Sequence, residues 1–318
     1  MMQRMKYALI VAITAIAFDG AAQTFPSKPI RLIVPSSPGG VNDTTARAMA
    51  PRLSTALGTT VIVDNRPPNQ VGTALVAKSA NDGYTILNTL DNFPLTQFLM
   101  KDVPYDATRD FSGISLLWRA PQIIAIPAGL GVTDLAEFVR FAKSKPGSLN
   151  YGAAGAGTSG HLTGELFKST AGIDMQVVQY KGAGPATAAV LGGHINFIVA
   201  TLGTLLPHVR SGKLIALGVT SPHRVTHLPN VPAVAETYPG FDAHGWGGLA
   251  VAAGTPTAII QRLNAATVRV IAEPEIRRVF EDQGYEIVGS TAEGFDKWIA
   301  EESQKWSRVI RERGITQN

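Results

Sequence analysis

The chain has 318 residues, of which 45% are hydrophobic and 16% charged, and this composition is typical of a soluble globular protein with room for two domains. It contains no cysteine, which argues against disulfides, a thiolate metal site, a cysteine nucleophile and a lipoprotein anchor. The net charge of +4 is dispersed without a Lys/Arg cluster, so we expect no nucleic-acid partner. A mildly basic balance suits a small anionic ligand.

The N-terminal segment has the pattern of a secretory signal peptide. Arg4 and Lys6 precede an apolar run over residues 8–18, and small residues follow it up to Gln23. The apolar run is shorter than the ~20 residues that a membrane-spanning helix needs, which argues against an uncleaved anchor. We therefore predict that residues 1–22 are removed and that the mature protein lies in the periplasm.

The first part of the mature chain alternates between strand and helix patterns, which predicts a mostly parallel sheet covered by helices. Pro51 lies inside the first predicted helix and is expected to kink it. The predicted strands are residues 30–34, 61–64 and 85–88, and the predicted helices are residues 44–57 and 71–80.

An extended apolar run over residues 115–126 leads into a second set of strands and helices. The fold class that follows is α/β, with two lobes that each hold a mostly parallel sheet flanked by helices. We predict lobe 1 over residues 23–121 and 244–318, and lobe 2 over residues 122–243. The later predicted helices are 134–143, 257–272 and 292–313, a strand–turn–helix unit spans 149–171, and strands are predicted at 175–180, 195–200 and 215–220. On the last helix, we expect Trp298 and Trp306 to pack in the core and Glu301 and Glu302 to face solvent.

A first glycine-rich turn follows the strand over residues 30–34. It reads Ser37-Pro38-Gly39-Gly40, and Asp43 lies at the start of the next helix. Such a turn presents backbone N–H groups beside the positive end of a helix dipole, which is an anion site.

A second glycine-rich turn, Ala154-Gly155-Ala156-Gly157-Thr158, precedes the helix that contains His161. With Gly160 it matches G-x-G-x-x-G, so a dinucleotide site is one alternative. Asp174 argues against that alternative, because it precedes the next strand instead of ending it. We predict no cofactor. The glycines still allow backbone N–H groups to approach a carboxylate closely, and Thr158 adds a hydroxyl donor.

Two further alternatives concern catalysis and metal binding. Ser159 and His161 suggest a nucleophile–base pair, but the G-x-S-x-G motif of α/β-hydrolases is absent. His223 and His227 have the spacing of a helical metal pair, but the adjacent prolines argue against a helix there. We predict neither an enzyme nor a metal site. After Tyr180, Lys181 either adds charge to the anion site or is an ordinary surface lysine.

Several segments, taken in order, resemble the Bug family, the periplasmic receptors of tripartite tricarboxylate transporters. The likeness covers the whole mature chain. Its motifs are Pro26-Ser27-Lys28-Pro29-Ile30, Val34-Pro35…Pro38-Gly39-Gly40…Asp43, Asp64-Asn65-Arg66-Pro67, Asp82-Gly83-Tyr84-Thr85, Leu149-Asn150-Tyr151-Gly152, Gly155…Gly157-Thr158…His161-Leu162, Tyr180-Lys181-Gly182 and Gly254-Thr255-Pro256.

The resemblance implies a type II-like periplasmic binding protein whose two lobes are joined by two crossover strands. It also implies an organic-acid ligand and a transporter with one large and one small membrane subunit as partner. By position, the ligand carboxylate is expected between the two glycine-rich turns. We expect a monomer.

Departures from the family pattern refine the expected ligand. The family often carries an Asp-Asn pair where this chain has Ala200-Thr201, so we lean away from an amino-acid ligand while keeping Thr201 as a candidate contact. Arg119 lies in the first crossover strand, and we hypothesise that it pairs with a second ligand carboxylate. Trp118 or Phe93 would stack on a flat ligand, and the competing reading is a surface arginine beside a packed tryptophan.

Three functions therefore compete at this stage. The leading one is a binding protein without catalysis that closes on a di- or tricarboxylate or an aromatic acid. The second is a sensor that reports ligand occupancy to a signalling partner, since the fold permits either partner. The third is an exported hydrolase that uses Ser159.

Overall fold

The computed structural model describes residues 25–39, 41–180 and 182–316. The predicted signal peptide over residues 1–22, together with Gly40 and Lys181, lies outside the described residues. Within the described part of the chain, no helix has both the length and the apolar character of a membrane span.

The strands and helices alternate along most of the chain, as predicted. The strands are β1 (Ile30–Val34), β2 (Val61–Asn65), β3 (Thr85–Leu90), β4 (Phe111–Pro127), β5 (Leu149–Ala153), β6 (Met175–Gln179), β7 (Phe197–Thr201), β8 (Leu214–Val219), β9 (His244–Ala252) and β10 (Glu286–Ile287). The helices are α1 (Val41–Leu57), α2 (Asn69–Ala77), α3 (Thr96–Leu99), α4 (Leu135–Ser144), α5 (Ser159–Ala171), α6 (Ala183–Leu191), α7 (Leu202–Arg210), α8 (Val234–Thr237), α9 (Thr257–Ile271), α10 (Pro274–Glu281) and α11 (Ala292–Arg313).

The first sheet has the strand order β2-β1-β3-β9-β4, with β10 paired to β4. β1 is parallel to β2 and β3, whereas β9 runs antiparallel to β3 and β4. The second sheet has the order β6-β5-β7-β4, with β8 also paired to β4. Each sheet contains the predicted parallel strands, but both are mixed because the strands that connect them run antiparallel to the rest.

β4 is the strand that passes from one sheet to the other. In the first sheet Pro121 is paired with His244, and in the second sheet the next residue, Gln122, is paired with Thr201. Its long apolar run has almost no exposed residue, because helices cover both faces of each sheet. The predicted crossover strand is therefore present, and β9 returns the chain to the first sheet.

The hydrophobic core consists of separate clusters on the two faces of each sheet, because successive side chains of a strand point to opposite faces. Leu32 and Val34 of β1 pack in a cluster with α1 and α9, while Ile33 joins a cluster on the other face. In β4, Ile124 packs with α5 and Ile123 packs with α7, again on opposite faces. A sheet that is covered on both faces therefore needs apolar residues at the odd and at the even positions of its strands.

The C-terminal helix α11 packs against both sheets. Phe295 lies in the cluster of the first sheet and Trp306 in the cluster of the second. The prediction that Glu302 faces solvent is wrong: it is buried and accepts hydrogen bonds from the indole nitrogens of Trp246 (3.2 Å) and Trp306 (2.8 Å), and it pairs with Lys305. These partners satisfy a carboxylate that would otherwise be costly to bury.

Candidate functional site

Both glycine-rich turns lie at the carboxyl ends of parallel strands. The first connects β1 to α1 and the second connects β5 to α5. The crevice outside the carboxyl ends of the strands is where ligands bind in open α/β sheets. A contact between the sheets occurs at this edge, since Asp91, which follows β3, accepts a hydrogen bond from the side chain of Ser159, the first residue of α5.

The first turn is held by Asp43. Its carboxylate accepts a hydrogen bond from the backbone N–H of Gly39 (2.9 Å), from Arg47 Nε (3.0 Å) and from Asn65 Nδ2 (2.9 Å). The hydrogen bond from Arg47 lowers the pKa of Asp43 most, and the pKa is about 2 even though the side chain is buried. Asp43 therefore stays ionised and fixes the shape of the turn, while Ser37, Pro38 and Gly39 remain exposed.

The second turn is held by neutral groups. Thr158 caps α5 by accepting from the backbone N–H of His161 (3.4 Å), and its hydroxyl donates to the carbonyl of Gly155 (2.8 Å). His161 Nδ1 accepts from the backbone N–H of Gly157 (3.0 Å). Burial lowers the pKa of His161, which keeps the imidazole neutral and able to accept. Ala154 and Ala156 are partly buried within this turn.

These contacts bear on the hydrolase alternative. Ser159 hydrogen-bonds to Asp91, and Nδ1 of His161 is engaged by Gly157. The structure therefore gives the two residues separate partners instead of a nucleophile–base pair.

Tyr180 and Thr201 lie near the same edge of the second sheet. The backbone N–H of Tyr180 donates to Ala153 (2.8 Å), and its ring lies against Gly152, where an added Cβ would be 3.4 Å away. Thr201 ends β7, and its Oγ1 is 2.9 Å from that of Thr204. Both side chains are partly buried.

Phe93 does not present its ring to a ligand in this structure. The side chain is 1% exposed and makes an edge-to-face contact with Phe111, with ring centroids 4.9 Å apart. Trp118 is also buried and stacks on Tyr285 at 4.2 Å. Stacking of either ring on a ligand would require this core to open, so the expectation that one of them stacks has no support from this packing and stays a prediction.

Arg119 lines a cavity but already has partners. Its guanidinium donates to Glu286 Oε1 (2.9 Å) and lies 5.7 Å from the ring centroid of Trp298. Its Nε is buried without a hydrogen-bond partner. The hypothesis that Arg119 pairs with a second ligand carboxylate therefore has a competitor in Glu286 and stays a prediction.

The cavity that Arg119 borders has a volume of about 690 Å³ and lies beside the point where β4 changes sheets. Residues from both sheets line it, but neither glycine-rich turn does. Its wall includes Pro121, Leu202, Ser221, His223, Arg224, His227, His244, Tyr285 and Glu286. Among the described residues, no group of three or more potential metal ligands is present, which leaves His223 and His227 without further ligands.

Sequence reasoning did not identify two polar residues in this region. Asp91 is partly buried, and the loss of water around its carboxyl group raises its pKa to about 7. Gln122 is fully buried in β4, and neither its amide nitrogen nor its amide oxygen has a hydrogen-bond partner. The only sequence signal for Asp91 is its place directly after a strand, and Gln122 had no signal.

Comparisons with known proteins identify the family of this chain. The model of the tripartite tricarboxylate transporter family receptor, TctC, matches residues 45–315. The protein BugT of Bordetella pertussis is 35% identical over 311 residues, which cover 96% of this chain and 95% of BugT.

Two similar solved structures contain carboxylates. One is Rpa4515 of R. palustris with adipate, 29% identical, with a TM-score of 0.77 and coverage of 92% of this chain and 99% of that one. The other is MatC of Rhodopseudomonas palustris with bound malate, 27% identical, with a TM-score of 0.73 and coverage of 90% and 100%. Together with the family match, they show that the chain has the two-domain fold of periplasmic binding proteins and belongs to the TctC family of tripartite tricarboxylate transporter receptors.

Proposed function

We propose that this protein captures a small organic carboxylate in the periplasm and delivers it, unchanged, to the membrane subunits of a tripartite tricarboxylate transporter. The observation that carries the proposal is the pair of glycine-rich turns at the carboxyl ends of β1 and β5, each followed by a helix N-terminus. The adipate and malate in related structures support the same ligand class.

In the proposed complex, one ligand carboxylate lies between residues 37–40 and residues 154–158 and accepts hydrogen bonds from backbone N–H groups of these turns. Pro38 has no N–H, and those of Gly39 and Gly157 donate to Asp43 and His161, so other residues of the turns are the donors. Asp43 and His161 hold those turns in position and are not themselves required to touch the ligand. The lobes, which we propose to be residues 23–121 with 244–318 and residues 122–243, close on the ligand because it contacts both.

Binding is tested by unfolding the purified protein with heat in the presence of aliphatic, hydroxy, amino and aromatic carboxylates. A ligand at about 100 times its Kd stabilises the folded state by about 2.7 kcal/mol, which raises the Tm by several degrees. Absence of any shift, also after refolding from denaturant to remove a co-purified ligand, would contradict the proposal.

A matched pair of threonine caps locates the site. Thr158 caps α5 at the second turn, while Thr291 caps α11 by accepting from Gly294 N (3.0 Å). Either Thr→Ala change is expected to cost about 1 kcal/mol of stability. Only Thr158→Ala is expected to weaken carboxylate binding, by about tenfold, measured by calorimetry. Equal carboxylate affinities in the two variants would argue against a role of the second turn in ligand binding.

The cavity beside Arg119 is proposed to hold the rest of the ligand, and Arg119 to meet a second carboxylate. Its volume of about 690 Å³ lies in the usual range for small-molecule sites. Arg119→Ala is expected to weaken dicarboxylate binding about tenfold and to leave monocarboxylates unaffected. Arg224→Ala is the control, because Arg224 lines the same cavity but donates to both carboxylate oxygens of Glu236 (each 2.8 Å), whereas Arg119 donates to only one oxygen of Glu286.

A further inference from the structure

Asp91 lies beside the second turn, at the edge where the two sheets meet. It accepts a hydrogen bond from Ser159 at the start of α5, and its charge also acts on Tyr285, which lines the cavity. A Cβ added to Gly245 of β9 would lie 3.3 Å from Asp91 Oδ2. Elements of both sheets therefore surround this one carboxylate.

Among the described residues, no cation forms an ion pair with Asp91. None of the ion pairs found within residues 25–39, 41–180 and 182–316 includes Asp91. Its donors are the Ser159 hydroxyl and the backbone N–H of Asn92, and the nearby Glu302 adds a repulsive negative charge. Asp91 has two carboxylate oxygens with capacity to accept more bonds than these.

The side chain of Gln122 in β4 is a second polar group in this region, and it has no hydrogen-bond partner. Ala120 of β4 and Asp91 both border the Cβ position of Gly245, at 3.8 and 3.3 Å. Gln122 is the next residue on the same face of β4, since side chains alternate along a strand. Its amide is fully buried, with both polar atoms unpaired. A buried polar group without a partner is uncommon and points to a bound molecule that supplies one.

We propose that Asp91 makes the receptor selective for carboxylates that carry a hydroxyl or ammonium group on the chain, over unsubstituted carboxylates of the same length. The proposal rests on the proposed function and names the ligand class of that site. A plain alkanedioate brings only negative charge toward Asp91 and Glu302. A hydroxyl or ammonium instead donates a charge-assisted hydrogen bond to Asp91.

Asp91 thereby supplies the carboxylate acceptor that the Ala200-Thr201 pair of the second sheet does not offer. The Ala200-Thr201 pair offers no carboxylate, and the Thr201 hydroxyl is engaged with Thr204. In this proposal the partner of a ligand ammonium comes from the first sheet, so an amino-acid ligand does not require the Asp-Asn pair that this chain lacks.

Calorimetry with matched ligands tests the selectivity. Succinate, malate and aspartate differ only in the group at carbon 2, as do glutarate, 2-hydroxyglutarate and glutamate. The full chain is expected to bind at least one substituted member about tenfold or more tighter than its unsubstituted counterpart. In Asp91→Asn this ratio is expected to fall below about threefold. The control Asp110→Asn, which alters a carboxylate paired with Arg109 on a separate loop, retains the ratio.

The outcomes separate the two proposals. If the wild-type protein binds the members of each set equally, or if Asp91→Asn keeps the full ratio, the selectivity role is overturned while carboxylate capture stands. If no carboxylate of the wider panel binds, the proposed function itself fails and the selectivity role falls with it. A preference for malate assigns the donor as a hydroxyl, and a preference for aspartate assigns it as an ammonium.

Discussion

The two glycine-rich turns are held by the same kind of hydrogen bond, but the two acceptor side chains differ in charge. In each, the third residue of the following helix accepts a hydrogen bond from the backbone N–H of a glycine four residues earlier. Asp43 accepts from Gly39 at 2.9 Å, and His161 accepts from Gly157 at 3.0 Å. The geometry is shared, but one acceptor is a carboxylate and the other is an imidazole.

This difference sets the charge that each turn presents to a ligand. Asp43 is ionised and places a negative charge at the positive end of the α1 dipole, with Arg47 beside it. His161 is neutral, so the α5 dipole is not offset from within its own turn. We therefore expect the second turn to contribute more of the binding energy for a carboxylate, and the first turn to contribute shape.

A comparison of Asp43 with Asp91 shows how surroundings decide the state of a carboxyl group. Both lie next to a helix N-terminus. Arg47 holds the pKa of Asp43 at about 2, whereas burial without a cation raises the pKa of Asp91 to about 7. The two groups are therefore expected to give opposite dependences of stability on pH.

The largest effect is expected from Asp91→Asn. The folded state holds a proton on Asp91 up to about pH 7, while the unfolded chain loses it near pH 3.8, so folding takes up a proton between these values. Stability consequently falls as pH rises through this window, by up to about 4 kcal/mol. Asp91→Asn removes this pH-dependent loss of stability. Urea unfolding of the variant and the wild type at pH 5 and pH 8 measures the difference in their free energies of unfolding.

In that experiment the variant is expected to be more stable than the wild type at both pH values, and by a larger amount at pH 8, because pH 5 already lies inside the window between 3.8 and about 7. If both proteins change equally between the two pH values, Asp91 does not titrate as described. Asp110→Asn again serves as the control, since the hydrogen bond from Arg109 lowers the pKa of Asp110.

Asp43→Asn is expected to act in the other direction. Because the pKa of Asp43 is lowered from 3.8 to about 2, its ionised form stabilises the folded state above pH 3.8, and this contribution is lost as pH falls toward 2. The substitution is expected to cost about 2 kcal/mol at pH 7, measured by urea unfolding. Asp134→Asn, a change at the cap of α4, is the control and is expected to cost far less. A similar loss in both variants would mean that the Arg47 pairing contributes little.

The parts of this fold that the sequence predicts are those with local signals. Strand β1, the turn before α5 and helix α11 each show a hydrophobic period with a cap or glycine at the boundary, and all three are present. β10 has only two residues and pairs with the distant Trp118-Arg119, so no local pattern marks it.

Side-chain environments were harder to predict, because they depend on contacts far apart in sequence. Glu302 is buried by Trp246, which is 56 residues away, and no helical period reveals such a partner. Phe93 follows a strand near the site. At such a position the local sequence is the same whether the aromatic ring binds a ligand or packs in the core. The pKa of Asp91 is raised mainly by burial and then by the charge of Glu302, and the arrangement of the two sheets produces both.

The smallest effect is expected from His161→Phe, which removes the acceptor for the Gly157 N–H. Loss of this bond at a buried site is expected to cost about 1 kcal/mol at pH 7. The stability of the wild type relative to His161→Phe should also fall as pH drops through 6.5, because the unfolded wild-type chain gains a proton on His161 there while burial keeps folded His161 neutral. His161→Phe lacks this acid dependence, whereas the control His194→Phe, at an exposed histidine, keeps it. If the wild type instead gained stability relative to His161→Phe below pH 6.5, folded His161 would be protonated, Nδ1 would be a donor, and the contrast between a charged first turn and a neutral second turn would fail.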